Sequence, residues 1–270
     1  MRRRDRQDRC VIPGWVDRGF TLVVEGMRVA GMSRPMCYRC FWPESQCWCE
    51  RVPVLETTTR FVILMHPKEF KREKAGTGRL TQLSLSNSEI QVGVEFDDHP
   101  AVQRLINDPG SHVLLLYPGK MAINLSEPDL GWQPPAGRRL TVLVLDATWS
   151  CARKMLKLSP SLQRLPRVMF TPSAPSRYVI KQQPFAGCLS TLESVYEVIT
   201  ALNARKMESV PEPERLLELF DQMQRHQIDF ARDPHQRGYR RSEYKEPGER
   251  SGFKGHSARR RANFFRVPEA

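Results

Sequence analysis

Short apolar runs alternate along this chain with segments in which apolar residues recur at helical spacing. Continuous apolar runs of about four to eight residues predict strands that are buried on both faces of a sheet. Such runs occupy residues 60–65, 89–96, 112–117, 140–146 and 167–170. Helical spacing occurs at residues 77–88, 99–108, 150–158 and 191–204, and again after Pro213. The alternation predicts an α/β fold with a mostly parallel sheet and helices on both faces.

The chain divides into four parts. Residues 1–32 form an N-terminal extension, residues 33–56 a small cysteine-rich module, and residues 57–231 the α/β domain. Residues 232–270 are rich in Gly, Arg and Ser and contain few aliphatic residues. We expect this tail to be disordered without RNA, because it cannot bury a core of its own.

Two basic arms carry most of the formal net charge of +12. Residues 1–9 contain five Arg and two Asp, and residues 232–270 contain eleven Lys or Arg and five acidic residues. Basic arms beside a nearly neutral body are typical of a protein that binds a polyanion, because Lys and Arg displace the counterions of phosphates. The alternative is that the arms only keep the protein soluble.

The sequence contains no recognisable membrane or secretion signal. No stretch approaches the roughly 18 consecutive apolar residues that a membrane span needs. Residues 1–10 lack the apolar run of a secretory signal, and we therefore expect a cytoplasmic protein. Because the cytosol keeps thiols reduced, the seven cysteines argue against a disulfide framework.

Four of the cysteines lie within thirteen residues, as a C-x-x-C pair and a C-x-C pair. Zinc prefers tetrahedral ligation by thiolates, and a C-x-x-C pair lets two sulfurs reach one ion from a tight turn. The spacing predicts a structural Zn²⁺ site that orders the module. Its ligands are Cys37, Cys40, Cys47 and Cys49. An iron–sulfur cluster is the competing interpretation.

The residues that follow each predicted strand are the candidate functional site, because open parallel sheets bind ligands beyond the carboxyl ends of their strands. Asp146 ends an apolar strand and is followed by Thr148, Trp149 and a helix that carries Arg153 and Lys154. A carboxylate in this position serves either as a general base or as a cap for the next helix.

Two further segments offer backbone groups to a ligand. Tyr117-Pro118-Gly119 turns the chain sharply after a strand, which suits either a binding loop or a plain turn. Ser190 and Glu193 have the spacing of a capping box at the start of a helix. The N–H groups of that helix start either bind an anion or are only capped.

Two other features bear on the chemistry of the chain. His66 follows the first predicted strand, and a lone histidine is either structural or catalytic. The stretch Gly76-Thr77-Gly78 matches neither GxxxxGK[ST] nor GxGxxG. This mismatch argues against a nucleotide triphosphatase and against a Rossmann dehydrogenase.

Taken in order, these segments resemble one known family. C-x-R-C with C-x-C, HPKE, KAGTGRL, LLLYPG, LDATW and LSTLE are similar to the ordered motifs of the DTW-domain proteins, the tRNA-uridine aminocarboxypropyltransferases. The resemblance covers about residues 34–205 and makes residues 57–231 the DTW catalytic domain. Asp146, Thr148 and Trp149 match the name-giving motif, with Ala147 between the first two. The resemblance implies a SPOUT-like, trefoil-knotted α/β fold.

The resemblance also implies an activity and a partner. The 3-amino-3-carboxypropyl group of S-adenosylmethionine would be transferred to N3 of a uridine in the variable region of tRNA, with release of methylthioadenosine. No membrane and no obligate protein partner are expected. Uridine N3 carries a proton that a base must remove, which makes Asp146 the candidate base, with Thr148 and Trp149 beside it.

The same resemblance suggests binding residues. The donor would contact Leu116, Tyr117, Pro118, Gly119, Leu189, Ser190, Thr191 and Glu193. RNA phosphates would contact Lys74, Arg79, Arg153, Lys154, Arg177 and Lys181. The carboxylate of the donor would suit the helix start at Ser190 and Thr191, or else the side chain of Arg177.

Two rival functions stay open at the level of sequence. The first is a SPOUT-type RNA methyltransferase that uses the same donor, because the orientation of the donor alone decides which carbon is attacked. The second is a non-catalytic, zinc-bearing RNA-binding protein, which would bind no donor.

Overall fold

The computed structural model describes residues 35–72, 76–128, 131–180 and 187–232 of the chain. The predicted N-terminal extension and the tail beyond residue 232 lie outside these residues, as do Lys74 and Lys181.

One parallel sheet lies at the centre of the described residues. Its strands are β1 (Arg60–Met65), β2 (Ser88–Val92), β3 (Ser111–Leu116), β4 (Ile123–Asn124), β5 (Arg139–Asp146) and β6 (Arg167–Met169). Their order across the sheet is β2-β1-β5-β3-β6-β4, and every pairing is parallel. The predicted parallel sheet is confirmed.

The α-helices of the described residues lie between and after the strands. They are α1 (Pro67–Arg72), α2 (Thr77–Ser84), α3 (Pro100–Ile106), α4 (Trp149–Lys157), α5 (Pro160–Gln163), α6 (Thr191–Ala204) and α7 (Arg215–Arg232). None of these helices contains an apolar stretch long enough to cross a membrane.

Each face of the sheet has its own hydrophobic core, because alternate side chains of a strand point to opposite faces. On one face Phe61 and Val142 pack with side chains of α2, α6 and α7. On the other face Val62 and Leu143 pack with side chains of α3, α4 and α5. The prediction of helices on both faces is therefore confirmed.

The cysteine-rich segment packs on the last helix. Cys37, Cys40, Trp42 and Trp48 are buried in the same core as side chains of α6 and α7. The ring centroids of Trp42 and Trp48 lie 5.3 and 5.4 Å from that of His226 on α7. The segment and the α/β domain thus share one core.

Two predicted element ends are wrong by four residues. The second strand ends at Val92 rather than at residue 96, because the chain leaves the sheet after Gly93 and buries Phe96 in the core beside α3. The first predicted helix ends at Ser84 rather than at residue 88, because Leu85 has an extended backbone and pairs with Leu55. The elements α1, α5 and β4 were missed because they are too short for a periodicity to be visible.

Glu208 anchors the start of β1 through a buried carboxylate. Its oxygens accept hydrogen bonds from Thr59 N at 2.7 Å, from Thr58 N at 3.1 Å and from Thr58 Oγ1 at 2.9 Å. Burial raises the pKa of the Glu208 carboxyl group, but the bonds from Thr59 and Thr58 outweigh burial and lower that pKa below its ordinary value. The fold therefore binds the charged form of Glu208.

We predict that Glu208→Gln destabilises the protein by roughly 1–3 kcal/mol at neutral pH. The NH2 group of the glutamine amide would face an N–H group of Thr58 or Thr59, and both are donors. The folded pKa of Glu208 lies below the ordinary value of 4.5. Its contribution is therefore present above that value and is lost as the pH falls through the folded pKa. Urea denaturation at about pH 7 and about pH 4 should show a smaller difference between variant and wild type at the lower pH. Exposed Glu95→Gln is the matched control, and a difference that does not change with pH would contradict the assignment.

Candidate active site and metal centre

Three strands bring the residues that follow them to one edge of the sheet. β1 is followed by His66, β5 ends at Asp146, and β3 is followed by Tyr117. In the register of these parallel strands, Met65 pairs with Asp146 and Leu116 pairs with Val144. The candidate residues at these strand ends therefore lie side by side, about 5 Å from one strand to the next. We call this edge, from His66 across Asp146 to Tyr117, the carboxyl edge.

Asp146 is a buried acid at the carboxyl edge, with 7% of its surface exposed. Its Oδ1 accepts a hydrogen bond of 2.6 Å from Thr191 Oγ1, which belongs to the first turn of α6. The N-cap residue of α4 is Thr148 and not Asp146. The carboxylate thus contacts α6, and the alternative in which Asp146 serves as the N-cap of α4 does not apply.

The first turn of α2 packs against the same carboxylate. A Cβ atom at Gly78 would lie 2.4 Å from Asp146 Oδ2 and 2.5 Å from Asp146 Cγ. These distances are far shorter than any van der Waals contact, and Gly78 is itself buried. Glycine is needed at this position because the backbone of α2 approaches Asp146 so closely.

Thr191 is held in place by the capping box that the sequence predicted. Ser190 Oγ accepts a hydrogen bond from Glu193 N at 3.3 Å, and Glu193 Oε2 accepts one from Ser190 N at 2.7 Å. Buried Glu193 also accepts a bond of 2.6 Å from Arg177 N through its Oε1. The first turn of α6 is fixed in this way, and with it the direction in which Thr191 points.

His66 lies beside Asp146 and presents a hydrogen-bond donor. Its Nδ1 accepts a bond of 3.1 Å from Lys68 N, and its backbone N–H donates to Asp146 O at 3.0 Å. Burial lowers the pKa of His66, and the charges of Lys68 and Lys154 lower it further. The ring is therefore neutral near pH 7 and carries its proton on Nε2.

The turn after β3 adds a half-buried phenol and a guanidinium to the carboxyl edge. The Arg167 guanidinium lies 5.6 Å from the centroid of the Tyr117 ring. Burial raises the pKa of Tyr117, although the charges of Arg153 and Arg167 oppose that rise. Tyr117 therefore stays protonated near neutral pH, with two cations near its hydroxyl.

The four clustered cysteines bring their sulfur atoms within 4.8 Å of one another. The Sγ atoms of Cys37 and Cys49 are 3.7 Å apart, and so are those of Cys40 and Cys47. Four sulfurs at about 2.3 Å from one zinc ion would be about 3.8 Å from each other in an ideal tetrahedron. The donor set and its spacing therefore fit a tetrahedral metal ion.

A family model described as DTW domain matches residues 34–228. The chain belongs to the DTW-domain family. The matched range contains both the cysteine cluster and every strand of the sheet. The DTW domain of this chain therefore includes the cysteine cluster as well as the carboxyl edge.

Several curated relatives of this DTW-domain chain carry an activity in their names. The tRNA-uridine aminocarboxypropyltransferase 2 of Drosophila melanogaster is 34% identical over 64% of this chain and 68% of its own length. The Mus musculus protein of the same name is 35% identical over 63% of this chain and 57% of its own length. The Arabidopsis thaliana tRNA-uridine aminocarboxypropyltransferase A is 26% identical over 69% of this chain and 78% of its own length. The chain thus spans less than two thirds of the mouse relative, and no solved structure matches it.

The structure separates the residues of the DTW motif. Asp146 is buried and bonded to Thr191. Trp149 begins α4 and is half-buried, whereas Thr148 is exposed and lies with its Oγ1 3.3 Å from Ser150 Oγ. Of these three residues, Asp146 is the buried one, and its carboxylate contacts both α2 and α6.

The other predicted site residues occupy different environments. Of the predicted donor-binding residues, Ser190 and Glu193 are buried, Pro118 is exposed, and the half-buried ones are Leu116, Tyr117, Gly119, Leu189 and Thr191. Of the predicted phosphate contacts, Arg153 and Lys154 are exposed on α4. Arg177 is exposed and pairs with Asp221 at 2.9 Å, whereas Arg79 is only 6% exposed.

Sequence reasoning did not single out Gly78, Lys68 or Arg167 as site residues. A glycine inside a helical segment costs helix stability, so Gly78 carried a detectable signal of close backbone packing. Lys68 stands shortly after β1 in the HPKE segment, so its place after a strand was the available signal. Arg167 carried none, because only the strand order of the sheet brings it to the carboxyl edge.

We predict that Gly78→Ala destabilises the protein by about 1–3 kcal/mol, because the added methyl group overlaps Asp146. Replacing glycine by alanine inside a helix normally stabilises by about 1 kcal/mol, so the expected sign is reversed. Urea denaturation measures the effect. Gly131→Ala is the matched control, since a Cβ there meets no described atom within 4 Å. A stabilising effect of Gly78→Ala would refute the close approach to Asp146.

Proposed function

We propose that this DTW-domain protein transfers the 3-amino-3-carboxypropyl group of S-adenosylmethionine to N3 of a tRNA uridine and releases methylthioadenosine. The names of its relatives support both the group transferred and the acceptor. The observation that carries the proposal is the position of Asp146, a buried carboxylate of the DTW motif held between α2 and α6 at the carboxyl edge.

We assign Asp146 as the general base. Uridine N3 becomes a nucleophile only after it loses its proton, and a carboxylate within hydrogen-bond reach of that N–H can accept it. The bond from Thr191 fixes the rotation of the carboxylate, and Gly78 leaves room for it. His66 suits this role less well, because its Nδ1 lone pair is already used and its Nε2 carries a proton.

The orientation of the donor decides the product. Attack by N3 on the γ-carbon forms the N–C bond while the C–S bond breaks, the sulfur leaves as a neutral thioether, and the N3 proton passes to Asp146. Attack on the methyl group would instead yield a methylated uridine and S-adenosylhomocysteine. We place the adenosyl end at residues 116–119 and beside Trp149. Residues 116–119 follow β3, the strand next to β5, and Trp149 begins the helix that follows Asp146 in the chain.

We assign the tRNA phosphates to exposed cations around the carboxyl edge. Arg153 and Lys154 project from α4, the helix that follows Asp146. Exposed Lys68 and half-buried Arg167 extend this set, because their charges act on His66 and Tyr117 at the same edge. Such contacts position an RNA without reading its sequence. Lys74 and Lys181, outside the described residues, stay predictions.

We also propose that the sheet forms the trefoil knot of a SPOUT-like fold. The chain leaves β6, which lies beyond β3 in the sheet, and then returns to the end of β5, where Thr191 contacts Asp146. The family resemblance carries this proposal, and the return past β3 is compatible with it.

We propose Zn²⁺ as the ion of the cysteine cluster. Sulfur separations of 3.7 Å in two pairs favour one tetrahedral ion. All four sulfurs lie within 4.8 Å of one another. This spacing disfavours a multinuclear iron–sulfur cluster, in which cysteines bound to different irons hold their sulfurs farther apart. Reduced thiolates are the ligands that such a site needs, which supports a cytoplasmic location.

The activity is tested by incubating the full chain with labelled S-adenosylmethionine and bulk tRNA and identifying the nucleoside and the released thioether by mass. We expect aminocarboxypropyluridine and methylthioadenosine. We predict that Asp146→Asn lowers turnover by roughly 100-fold or more, because the proton acceptor is lost. Its affinity for tRNA should stay within about twofold, because phosphates and not Asp146 supply that affinity.

Exposed Asp98→Asn is the matched control and should turn over normally. If the products are methylated uridine and S-adenosylhomocysteine, the protein is a methyltransferase instead. Binding of tRNA with no donor binding and no product would establish a non-catalytic RNA-binding protein. Normal turnover by Asp146→Asn would overturn the base assignment alone.

We predict one zinc ion per chain and a large loss of stability when it is removed. Cys37, Cys40 and the packed indoles of Trp42 and Trp48 belong to one core with α6 and α7, so chelation should weaken more than the module. Elemental analysis and thermal melts with and without chelator measure both effects. Cys151→Ser, at a cysteine outside the cluster, should keep the metal. Iron with visible absorbance would contradict the zinc assignment.

A further inference from the structure

Arg79 is a buried cation without an anionic partner. Its side chain is 6% exposed, and its Nε has no hydrogen-bond partner. Across the described ranges, no carboxylate lies within ion-pair distance of its guanidinium, and the three ion pairs found there involve Arg60, Arg139 and Arg177. An unpaired buried charge destabilises a fold strongly, so a charge kept in such a position needs an explanation.

Two aromatic rings hold this guanidinium in place. Its central carbon lies 3.8 Å from the centroid of the Phe41 ring and 4.8 Å from that of the Phe70 ring. Aromatic rings offer the guanidinium no hydrogen-bond acceptor of the ordinary kind, so its N–H groups suit a planar anion. Phe41 belongs to a turn of the cysteine-rich module, which we call the metal module, since its N–H donates to Cys37 O at 2.7 Å.

Arg79 is also next to the candidate base. It follows Gly78, whose backbone packs against the Asp146 carboxylate, so both residues lie in the same turn of α2. Burial lowers the pKa of Arg79, while the charges of Cys40 and Asp146 raise it. The negative charge of Asp146 thus acts on the guanidinium, although the two groups form no ion pair.

The other groups that sequence reasoning offered to the donor's carboxylate are partly engaged. In the helix start the N–H groups of Ser190 and Glu193 donate within the capping box, and the Thr191 hydroxyl donates to Asp146. Arg177 pairs with Asp221 at 2.9 Å. Arg79, by contrast, is a buried cation near Asp146 whose Nε has no hydrogen-bond partner.

We propose that Arg79 binds the α-carboxylate of the 3-amino-3-carboxypropyl group through the edge of its guanidinium. This inference rests on the proposed function. Anchoring that carboxylate beside Asp146 holds the γ-carbon near the base and makes the transferred group, rather than only the adenosine, a recognised part of the donor. The metal module takes part in recognition, because it supplies the Phe41 face on which Arg79 rests.

The test compares two donors that differ only in this carboxylate. Calorimetry measures the affinity of the full chain for S-adenosylmethionine and for decarboxylated S-adenosylmethionine. We expect the wild type to prefer the former by roughly 10- to 100-fold, as a charge-assisted bidentate contact does. Arg79→Met should weaken binding of S-adenosylmethionine by a similar factor, leave the decarboxylated donor within about threefold, and so abolish the preference.

Arg51→Met is the matched control, because the Arg51 guanidinium stacks on Trp48 at 4.9 Å in the same module and is exposed. It should keep the wild-type preference. Arg79→Lys keeps the positive charge but loses the planar pair of donors of the guanidinium. It should reduce the preference for S-adenosylmethionine over the decarboxylated donor by roughly tenfold. This variant is the test if Arg79→Met does not fold.

The outcomes separate this inference from the proposed function. A wild type that forms aminocarboxypropyluridine while Arg79→Met, or Arg79→Lys, keeps the full preference would overturn the Arg79 assignment alone. A variant that weakens both donors equally would overturn it too, since that result indicates a structural role. A wild type that binds neither donor would overturn the proposed function and this inference together.

Discussion

The hydrogen bond from Thr191 to Asp146 is the contact on which the candidate site depends. It joins residues 45 positions apart, one at the end of β5 and one at the start of α6. The bond forms because the capping box of Ser190 and Glu193 fixes the first turn of α6. It leaves the opposite side of Asp146 to α2, which approaches closely only because Gly78 has no side chain. Strand pairing, helix capping and one glycine thus define a single carboxylate position.

Buried charges are stabilised here in two different ways. Glu208 and Glu193 accept several hydrogen bonds each, so they are structural anchors whose charge is fully solvated by the protein. Arg79 receives only the faces of two rings. The buried anions Glu208 and Glu193 thus have hydrogen-bond partners, whereas the buried cation Arg79 has none at its Nε. This contrast is why we assign the two glutamates to the fold and Arg79 to a ligand.

The metal module is part of the α/β domain in physical terms. Its two indoles pack on His226 of α7, and its Phe41 packs edge-on to Phe70 of α1 with a centroid separation of 5.8 Å. A metal ion that closes the cysteine cluster would therefore stabilise the position of Phe41, and through Phe41 that of Arg79. Folding of the module and geometry of the carboxyl edge are coupled through these contacts.

The sequence by itself determined the alternation of strands and helices, the cysteine cluster, the capping box of α6 and the strand-end position of Asp146. Each of these is encoded locally, by periodicity or by the spacing of a few residues. The tertiary structure alone decided that β5 lies between β1 and β3, that Thr191 reaches Asp146, and that Arg79 is buried against Phe41 and Phe70. Strand order and side-chain burial depend on contacts between residues far apart in the chain, and no local pattern specifies such contacts.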